Sequence, residues 1–303
     1  MATLRNKVNT IIAELINKVQ YPILELFCQK KKIYAYCFCN RYLFKTKKHN
    51  IGDDLNMIFL ENCFGGIIIK PEYSLFSQRP TYAFIGSILE YVCNQNRRVF
   101  VWGTGFKFSK NRLDSYEISK NKYLAVRGPL TRDIVLKSGG ECPEIYGDPG
   151  ILLSQYFKIN KKNIYKFGII PHNTEINTEC VRRLKSNPII HFLDIVNYST
   201  LRDFLEQMNS CEYILSSSLH GIIIADSYNI PNLWVRFSEN IDGDGFKYRD
   251  YFLGARKNAP TCLDLTKEFD VEIIMSELKK WTPAYIDKRF VDSCPFDIKY
   301  PNI

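Results

Sequence analysis

The stretch YILSSSLHGIII (213–224) changes character halfway along. Residues 213–215 are a short apolar run, typical of a buried strand. Residues 219–228 are a longer apolar segment with the length of a helix. Three serines fill the turn between them. A strand, a turn and a helix form the repeating unit of α/β proteins, which bind ligands where strands end and helices begin.

The same alternation of strands and helices continues in both directions along the chain. Because it predicts parallel sheets covered by helices, we expect an α/β fold. A polar stretch at 155–166 is predicted to be a linker, so two Rossmann-like domains should face each other across a central cleft. Strands are predicted at 33–39, 67–69, 98–102, 122–126, 167–171, 189–195, 213–215 and 233–237, and helices at 53–63, 129–138, 200–210, 219–228 and 271–281.

The overall composition is that of an ordinary globular protein. Of 303 residues, 46% are hydrophobic and 24% are charged, which excludes a disordered chain, a collagen-like repeat and a coiled-coil rod. No apolar run reaches the roughly 18–20 residues that cross a bilayer. The N-terminal sequence lacks the pattern of a signal peptide, so we expect a cytoplasmic protein. The ten cysteines show no zinc spacing, which predicts free thiols and no metal site.

The positive charge is concentrated near the N-terminus. The whole chain carries a formal charge of +9, and residues 1–48 alone hold ten basic residues against two acidic ones. Such a region can meet anionic lipid or nucleic acid. A binding module for nucleic acid, without catalysis, is one alternative. We expect no nucleic-acid partner, because this region lacks a recognisable nucleic-acid-binding fold and the rest of the chain is almost neutral.

The first residues also predict an amphipathic helix. Two interpretations remain open: the helix packs on its own domain, or it lies in a membrane interface with its basic residues near the lipid headgroups. Its apolar residues recur at helical spacing: Leu4, Val8, Ile11, Ile12, Leu15, Ile16 and Val19.

Two predicted strand ends carry short polar motifs. In Asn50-Ile51-Gly52-Asp53-Asp54, Gly52 permits a tight turn and Asp53 can either cap the next helix or act in a functional site. In Gly103-Thr104-Gly105 the third glycine of a dinucleotide fingerprint is missing. This second motif predicts a close approach of the backbone to a ligand or to the facing helix.

Two cationic segments are candidates for anion binding. Arg127 lies between a strand and a helix, where it can grip a carboxylate or a phosphate; the alternative is a structural ion pair. Residues 243–251 are predicted to be a flexible, glycine-rich loop whose Lys247 and Arg249 neutralise an anionic substrate. In the alternative interpretation this loop is solvated and its charges pair internally. Asp148 belongs to an Asp-Pro-Gly turn that needs no function to explain it.

The serine turn at 216–218 is the most informative motif. Its serines are predicted to cap the following helix and to leave backbone N–H groups free for an anion. His220 would then lie in the first helical turn at the mouth of the cleft, which makes it a catalytic candidate. His172 ends a strand and can line the same cleft, whereas His49 and His191 are predicted to be structural.

Together, these motifs resemble the polysaccharide pyruvyl transferases. The resemblance spans about residues 33–255. It is carried by seven segments in order: NIGDDLN (50–56), GTG (103–105), RGPLTR (127–132), GDPGILL (147–153), GIIPH (168–172), SSLHGIIIADSYNIPNLWV (217–235) and GFKYRDYF (245–252).

The resemblance implies a fold like the GT-B glycosyltransferases, with the C-terminal helix packing back on the first domain. The domains would then be an acceptor-side domain at 1–154, a donor-side domain at 163–275, and a C-terminal helix and tail at 276–303. It also implies phosphoenolpyruvate as co-substrate, no cofactor, and a sugar diol as acceptor. The product would be a cyclic pyruvate ketal on a bacterial capsule, exopolysaccharide or cell-wall sugar.

The family's functional residues map onto three positions of this chain: Asp53, Arg127 and His220. We expect His220 to be the general acid, Asp53 either the base or the residue that orients the acceptor, and Arg127 and Lys247 the anion clamps. Many members carry arginine where this chain has Ser218, so another cation must replace it. The predicted substrate-binding residues, which include three candidate substitutes, are Asn50, Gly103, Thr104, His172, Ser217, Ser218, Leu219, Arg236, Lys247 and Arg249.

Two further expectations concern partners. Sugars of this kind are often built on a lipid diphosphate at the inner face of the membrane, where the basic N-terminus would hold the enzyme peripherally. The alternative function is a GT-B-type nucleotide-sugar glycosyltransferase, which would use the same histidine turn for a diphosphate. Residues 220–240 show no clear acidic pattern for a donor ribose, which argues against this alternative.

Overall fold

The computed structural model describes residues 2–38, 50–76, 78–110, 113–239, 244–255 and 260–299, with side chains from residue 11 onward. The described residues form two five-stranded sheets in which every pair of neighbouring strands is parallel. The first sheet contains β1 (Lys31–Tyr36), β2 (Gly66–Ile69), β3 (Thr81–Ala83), β4 (Val99–Trp102) and β5 (Lys122–Ala125). The second contains β6 (Tyr165–Ile170), β7 (Ile190–Phe192), β8 (Cys211–Ser216), β9 (Asn232–Arg236) and β10 (Leu263–Asp264).

Both sheets have the same strand order. The first runs β2-β1-β3-β4-β5, and the second, read from its other edge, runs β7-β6-β8-β9-β10. In each sheet the second strand is added on one side of the first strand and the later strands on the other side. This switch in the order of addition lies between β1 and β3 in the first sheet and between β6 and β8 in the second. In doubly wound sheets, the crevice at this switch point is where ligands bind. The α/β class predicted from the alternation is confirmed, whereas the GT-B-like arrangement of two domains around a cleft stays a prediction.

Helices connect most of the strands, whereas the described residues between β2 and β3 contain only a 3₁₀ turn. Among the described residues, no helix is both long enough and apolar enough to cross a membrane. The helices are α1 (Ala2–Phe27), α2 (Ile51–Ile58), α3 (Leu60–Phe64), α4 (Leu89–Cys93), α5 (Ser115–Ser119), α6 (Pro129–Lys137), α7 (Leu153–Tyr156), α8 (Glu179–Lys185), α9 (Leu201–Met208), α10 (Leu219–Ser227), α11 (Phe246–Gly254), α12 (Val271–Leu278) and α13 (Lys288–Asp292), with 3₁₀ turns at Pro71–Tyr73 and Pro149–Leu152.

A continuous apolar core joins the two sheets. It includes Ile51 and Leu55 from α2 as well as Ile222 and Ile223 from α10, all of them buried. Because α2 follows β1 and α10 follows β8, this core holds together the helices that begin beside the two switch points. The strands of the two sheets lie within 31–125 and 165–264. The division into domains at 154 and 163 is compatible with these ranges and stays a prediction.

The segment 243–251 differs from its prediction as a flexible loop. Residue 243 lies outside the described residues, but α11 begins at Phe246 and is buried on most of its surface. It packs against α6 of the first half of the chain. A helix buried on most sides has no amphipathic period, and Gly245 before it adopts a left-handed conformation with φ +75°. For these two reasons the sequence pattern resembled a loop.

The C-terminal return to the first half of the chain involves a different helix from the one predicted. Residues 271–281 were expected to form it, but α12 packs on the second sheet, and this helix crosses the predicted boundary at 275. The returning element is α13, whose Phe290 ring stacks on Trp102 of β4 at 4.5 Å. The Trp102 indole N–H also donates to the Phe290 carbonyl at 2.9 Å. Large aromatic side chains therefore anchor the C-terminal segment on the first sheet.

A buried ion pair joins α11 to the end of β5. The Arg127 guanidinium donates from Nε to Asp250 Oδ2 at 3.0 Å, and both side chains are fully buried. Asp250 also accepts from the Thr131 backbone N–H at 2.9 Å and from the Thr131 hydroxyl at 2.8 Å. Gly128 is required beside this pair, since a Cβ there would lie 1.8 Å from the Asp250 carbonyl oxygen. The structure therefore shows an ion pair for Arg127, and its predicted binding of an anion stays a prediction.

Substitution of Asp250 with alanine should therefore destabilise the protein strongly. The Arg127 charge would stay buried without its partner, a change that typically costs about 3–5 kcal/mol of unfolding free energy. Urea denaturation measures this loss. The control is Glu277→Ala, which breaks the exposed pair with Lys280 and should cost less than about 1 kcal/mol. Equal losses in the two variants would contradict the role given to the buried pair.

Candidate functional site

The first turns of α2 and α10 meet in van der Waals contact at one glycine and one histidine. A Cβ built on Gly52 would lie 2.0 Å from Nδ1 of His220, which is too close for any side chain. Gly52 is therefore needed for this approach of the His220 ring, and the tight turn expected of it is absent because α2 already begins at Ile51. His220 therefore contacts the residue that precedes Asp53 in the sequence, and the charge of Arg127 also acts on the imidazole ring.

His220 lies in an environment that disfavours its charged form. Its Nε2 atom is buried and has no hydrogen-bond partner within the described ranges. Burial is the main cause that lowers the pKa of His220 from 6.5 to about 3, and the nearby charges of Lys247, Arg127 and His172 add to it. The imidazole is therefore neutral at pH 7 in the ligand-free protein. An anion bound nearby would offset the cations and raise this pKa.

The N-terminus of α10 leaves backbone donors available. Ser218 is the N-cap residue, but its side chain makes no capping hydrogen bond. The predicted capping by the serines is therefore wrong. Ser216 instead stabilises the turn itself, because its hydroxyl accepts from the Ser218 N–H at 3.0 Å and contacts the Ile170 carbonyl at 3.0 Å. An uncapped helix N-terminus carries partial positive charge and favours an anionic group.

Asp53 has a carboxyl that titrates near neutral pH. Burial and the adjacent charge of Asp54 raise its pKa from 3.8 to about 6, while Lys70 acts in the opposite direction. Asp53 does not cap α2, because the Asn50 side chain does so by accepting from the Gly52 N–H at 3.0 Å. The carboxyl of Asp53 is therefore not committed to the cap. A carboxyl with a pKa near 6 is suited to accept or donate a proton at physiological pH.

Several predicted substrate ligands already have structural partners. Gly103 adopts φ +95°, and a Cβ there would lie 2.4 Å from Pro149, so the expected close approach is made to a facing 3₁₀ turn. The Thr104 hydroxyl is buried and donates to the Gly86 carbonyl. The guanidinium of Arg236 bonds to Glu239 and to Asp264, each at 2.7 Å. A substrate anion would have to compete with these two carboxylates.

Among the candidate substitutes for the missing arginine, Lys247 has the best placement. It is buried near the start of α11, and its charge acts on His220. Arg249 lies partly buried on the same helix, where its guanidinium is close to Gly245. Arg127 keeps few donors, because Nη1 bonds to Ser87 at 2.7 Å and Nη2 to the Phe106 carbonyl at 2.5 Å in addition to Asp250. Its role as an anion clamp stays a prediction, and its bonds favour a role in positioning.

A buried glutamate that sequence reasoning missed holds three strand-end loops together. Glu175 is fully buried and accepts from the Ser217 hydroxyl after β8 and from the Phe237 N–H, at 2.9 Å, after β9. Ser217 in turn accepts from the backbone N–H of His172 after β6, at 2.8 Å. Ser217 is therefore engaged in the framework of the site. Glu175 lies in a polar turn, and its sequence context carries no signal that separates it from a solvated residue.

The two remaining acidic and imidazole candidates differ in environment. Asp148 is buried and caps the 3₁₀ turn through a bond from the Gly150 N–H at 2.9 Å, and burial raises its pKa to about 6. His172 is partly exposed, and its Nδ1 lies 2.8 Å from the Thr174 hydroxyl. In the described part of the chain no group of three or more His, Cys, Asp or Glu side chains is arranged to hold a metal ion. His49 lies outside the described residues.

The fold and the site together define an α/β protein of the Rossmann-like type, with polar side chains gathered where strands end and helices begin. Comparison with known families then identifies it further. A family model described as polysaccharide pyruvyl transferase matches residues 26–239. Because this match covers well over half of the chain, the protein belongs to the polysaccharide pyruvyl transferase family, which implies a transferase acting in polysaccharide biosynthesis.

Two curated relatives have detectable sequence similarity. The uncharacterized protein L143 of Acanthamoeba polyphaga mimivirus is 30% identical over 235 residues, which cover 75% of this chain and 76% of the relative. The succinoglycan biosynthesis protein ExoV of Rhizobium meliloti (strain 1021) is 24% identical over 214 residues, or 69% of this chain and 63% of the relative. The name of the second relative assigns that protein to succinoglycan biosynthesis.

The contact between Gly52 and His220 can be tested by a double-mutant cycle. Gly52→Ala should destabilise the protein by about 1–3 kcal/mol, because the new methyl group collides with the imidazole ring. In the His220→Ala background the same substitution should cost much less, since the ring is gone. Thermal unfolding of the four proteins measures the coupling between the two sites. Purely additive effects would contradict the contact.

Proposed function

We propose that this protein transfers the enolpyruvyl group of phosphoenolpyruvate to two hydroxyl groups of a sugar, forming a cyclic pyruvate ketal on a polysaccharide precursor. The observation that supports this proposal most directly is the meeting of α2 and α10. There, a buried neutral His220 at an uncapped helix N-terminus contacts Gly52, and the next residue, Asp53, has a carboxyl with a pKa of about 6. Family membership supplies the class of reaction.

The anionic donor fits the charge of the site. Phosphoenolpyruvate carries a phosphate and a carboxylate on three carbons, so it needs cations and backbone donors within a small volume. The N-terminus of α10 offers N–H groups, and buried Lys247 offers positive charge near His220. In this proposal Lys247 takes the place of the family arginine that is missing at Ser218. Arg127 has a positioning role in this proposal, because its bond with Asp250 joins α11 to the end of β5.

The proton transfers follow from the two titratable groups. One sugar hydroxyl adds to the central carbon of phosphoenolpyruvate while the methylene carbon gains a proton and becomes a methyl group. The carbon–oxygen bond to phosphate then breaks, and the second hydroxyl closes the ketal and loses its proton. His220 becomes a proton donor once the bound donor anion raises its pKa, and Asp53 accepts a proton from an attacking hydroxyl. Inorganic phosphate leaves with the remaining charge.

Ligand-dependent unfolding and product analysis test this proposal. Phosphoenolpyruvate should raise the melting temperature by several degrees at saturating concentration, and UDP- and GDP-linked sugars should not. With phosphoenolpyruvate and a panel of hexose derivatives, phosphate release should accompany a product with a new methyl signal in the proton NMR spectrum. His220→Ala and Asp53→Asn should each lower the rate of phosphate release by at least about 100-fold.

The matched control is His191→Ala, which removes a histidine that stacks on Tyr165 away from the site and should leave the rate unchanged. A melting shift produced by one nucleotide sugar, with none from phosphoenolpyruvate, would contradict the proposal and indicate glycosyl transfer instead. A rate within tenfold of wild type for His220→Ala would remove its assigned role as proton donor.

A further inference from the structure

Helix α1 packs on the protein with its polar face and presents its apolar face outward. The inward-facing side chains include Asn17, Gln20, Tyr21 and Glu25, all of them buried. On the opposite face, large hydrophobic side chains recur at helical spacing and are all exposed. This outward set, which we call the α1 stripe, consists of Ile11, Ile12, Leu15, Val19, Ile23, Leu26 and Phe27.

Specific contacts fix this orientation of the helix. Glu25 accepts from the Ser74 hydroxyl and from the Leu75 N–H, both at 2.7 Å. The Tyr21 ring stacks on Tyr73 with a centroid distance of 5.6 Å. A rotation that turned the α1 stripe inward would break the hydrogen bonds of Glu25 and leave Ser74 and Leu75 without this acceptor. Helix α1 therefore packs on its own domain, but it does so with its polar face. In the described part of the chain, nothing covers its apolar face.

The α1 stripe is too large to be an ordinary feature of a surface. Leu15 and Val19 are 58% and 61% exposed, and Phe27 is 76% exposed. Single exposed apolar residues are common on globular proteins, but contiguous exposed stripes mark sites of interaction. Most of α1, including five of the seven residues of the α1 stripe, precedes residue 26, where the match to the family begins.

We propose that the α1 stripe binds the surface of an anionic membrane, with α1 lying parallel to that surface. An amphipathic helix of this kind inserts its apolar side chains between headgroups and acyl chains, and nearby basic residues add attraction to anionic lipid. Residues 2–32, which comprise α1 and the start of β1, carry six basic residues against two acidic ones. Among the described residues, Lys30 and Lys31 are exposed just beyond the end of the helix, next to Phe27 of the stripe.

Charge also separates this occupant from a second copy of the chain. Two copies that paired through their α1 stripes would bring two positive segments together, and like charges at an interface weaken association. A membrane surface rich in anionic lipid has the opposite charge. The positive charge of this segment therefore opposes the pairing of two copies and favours binding to an anionic membrane.

Vesicle flotation with the full chain tests this proposal. The protein should float with mixed phosphatidylcholine–phosphatidylglycerol vesicles at low salt, and much less with phosphatidylcholine vesicles or at high salt. The double variant Leu15→Gln and Val19→Gln should lower the ratio of bound to free protein by at least about tenfold. Because both side chains are exposed, its melting temperature should match that of the wild-type protein.

A matched control removes the same amount of exposed apolar surface elsewhere. The double variant Ile164→Gln and Ile273→Gln changes side chains that are 65% and 51% exposed and lie outside α1. It should float like the wild-type protein. Equal flotation of the α1 variant and the wild type would overturn the proposal. So would equal binding of the wild type to neutral and anionic vesicles, or a lipid-free dimer in analytical ultracentrifugation that the α1 variant converts to monomer.

Discussion

The approach of two helix N-termini at Gly52 and His220 is the constraint on which the candidate site depends. Each helix follows a strand beside the switch point of its own parallel sheet. They come this close because position 52 has no side chain, so the imidazole ring lies directly on the backbone of α2. The apolar core behind this contact, which contains Leu55 and Ile223, holds the helices in place. Chemistry at the contact therefore draws on residues from both sheets.

The electrostatics of the site follow from this packing. Contact with α2 and burial of Nε2 remove water from His220. The positive charge of Lys247 further disfavours protonation of the ring and so lowers its pKa. The pKa of Asp53, the residue after Gly52, is raised instead of lowered, which for a carboxyl also favours the neutral form. With His220 neutral and cations around it, the site is prepared for a ligand that brings negative charge, while Asp53, whose pKa of about 6 leaves it mostly ionised at pH 7, can accept a proton. The surrounding ionic groups are already paired: Arg127 with Asp250, and Glu175 with three strand-end loops.

Much of the fold was predictable from the sequence, because most of its strands are continuous apolar runs that end in polar turns. The missed strands, β3 and β10, contain only three and two residues, too few to show any period. Helix α11 was missed because it is buried on most of its surface. Each failure has the same physical origin: tertiary contacts, and not local pattern, decide these elements.

The candidate site was predictable to a smaller extent. His220 and Asp53 could be selected because they follow strands in a parallel fold, and the structure places His220 against Gly52, the residue before Asp53. The partners of Arg127, Arg236 and Thr104 could not be read from the sequence, since each lies on a distant segment of the chain. Glu175 gave no signal at all, because its importance comes only from the three loops it joins. Sequence position thus indicates which side chains lie at a strand end. The fold determines which of them already bond to other parts of the protein and which can still contact a substrate.

The central claim is that His220 is held neutral by its packing until an anion binds beside it. NMR titration of the imidazole tests this most directly, with the His220→Ala spectrum assigning its signal among the four histidines. In the free protein the His220 signal should not titrate between pH 5 and 8, in keeping with a pKa of about 3. Addition of phosphoenolpyruvate should move the pKa upward into that range. A His220 that titrates near its ordinary value of about 6.5 in the free protein, and is unaffected by phosphoenolpyruvate, would contradict the account.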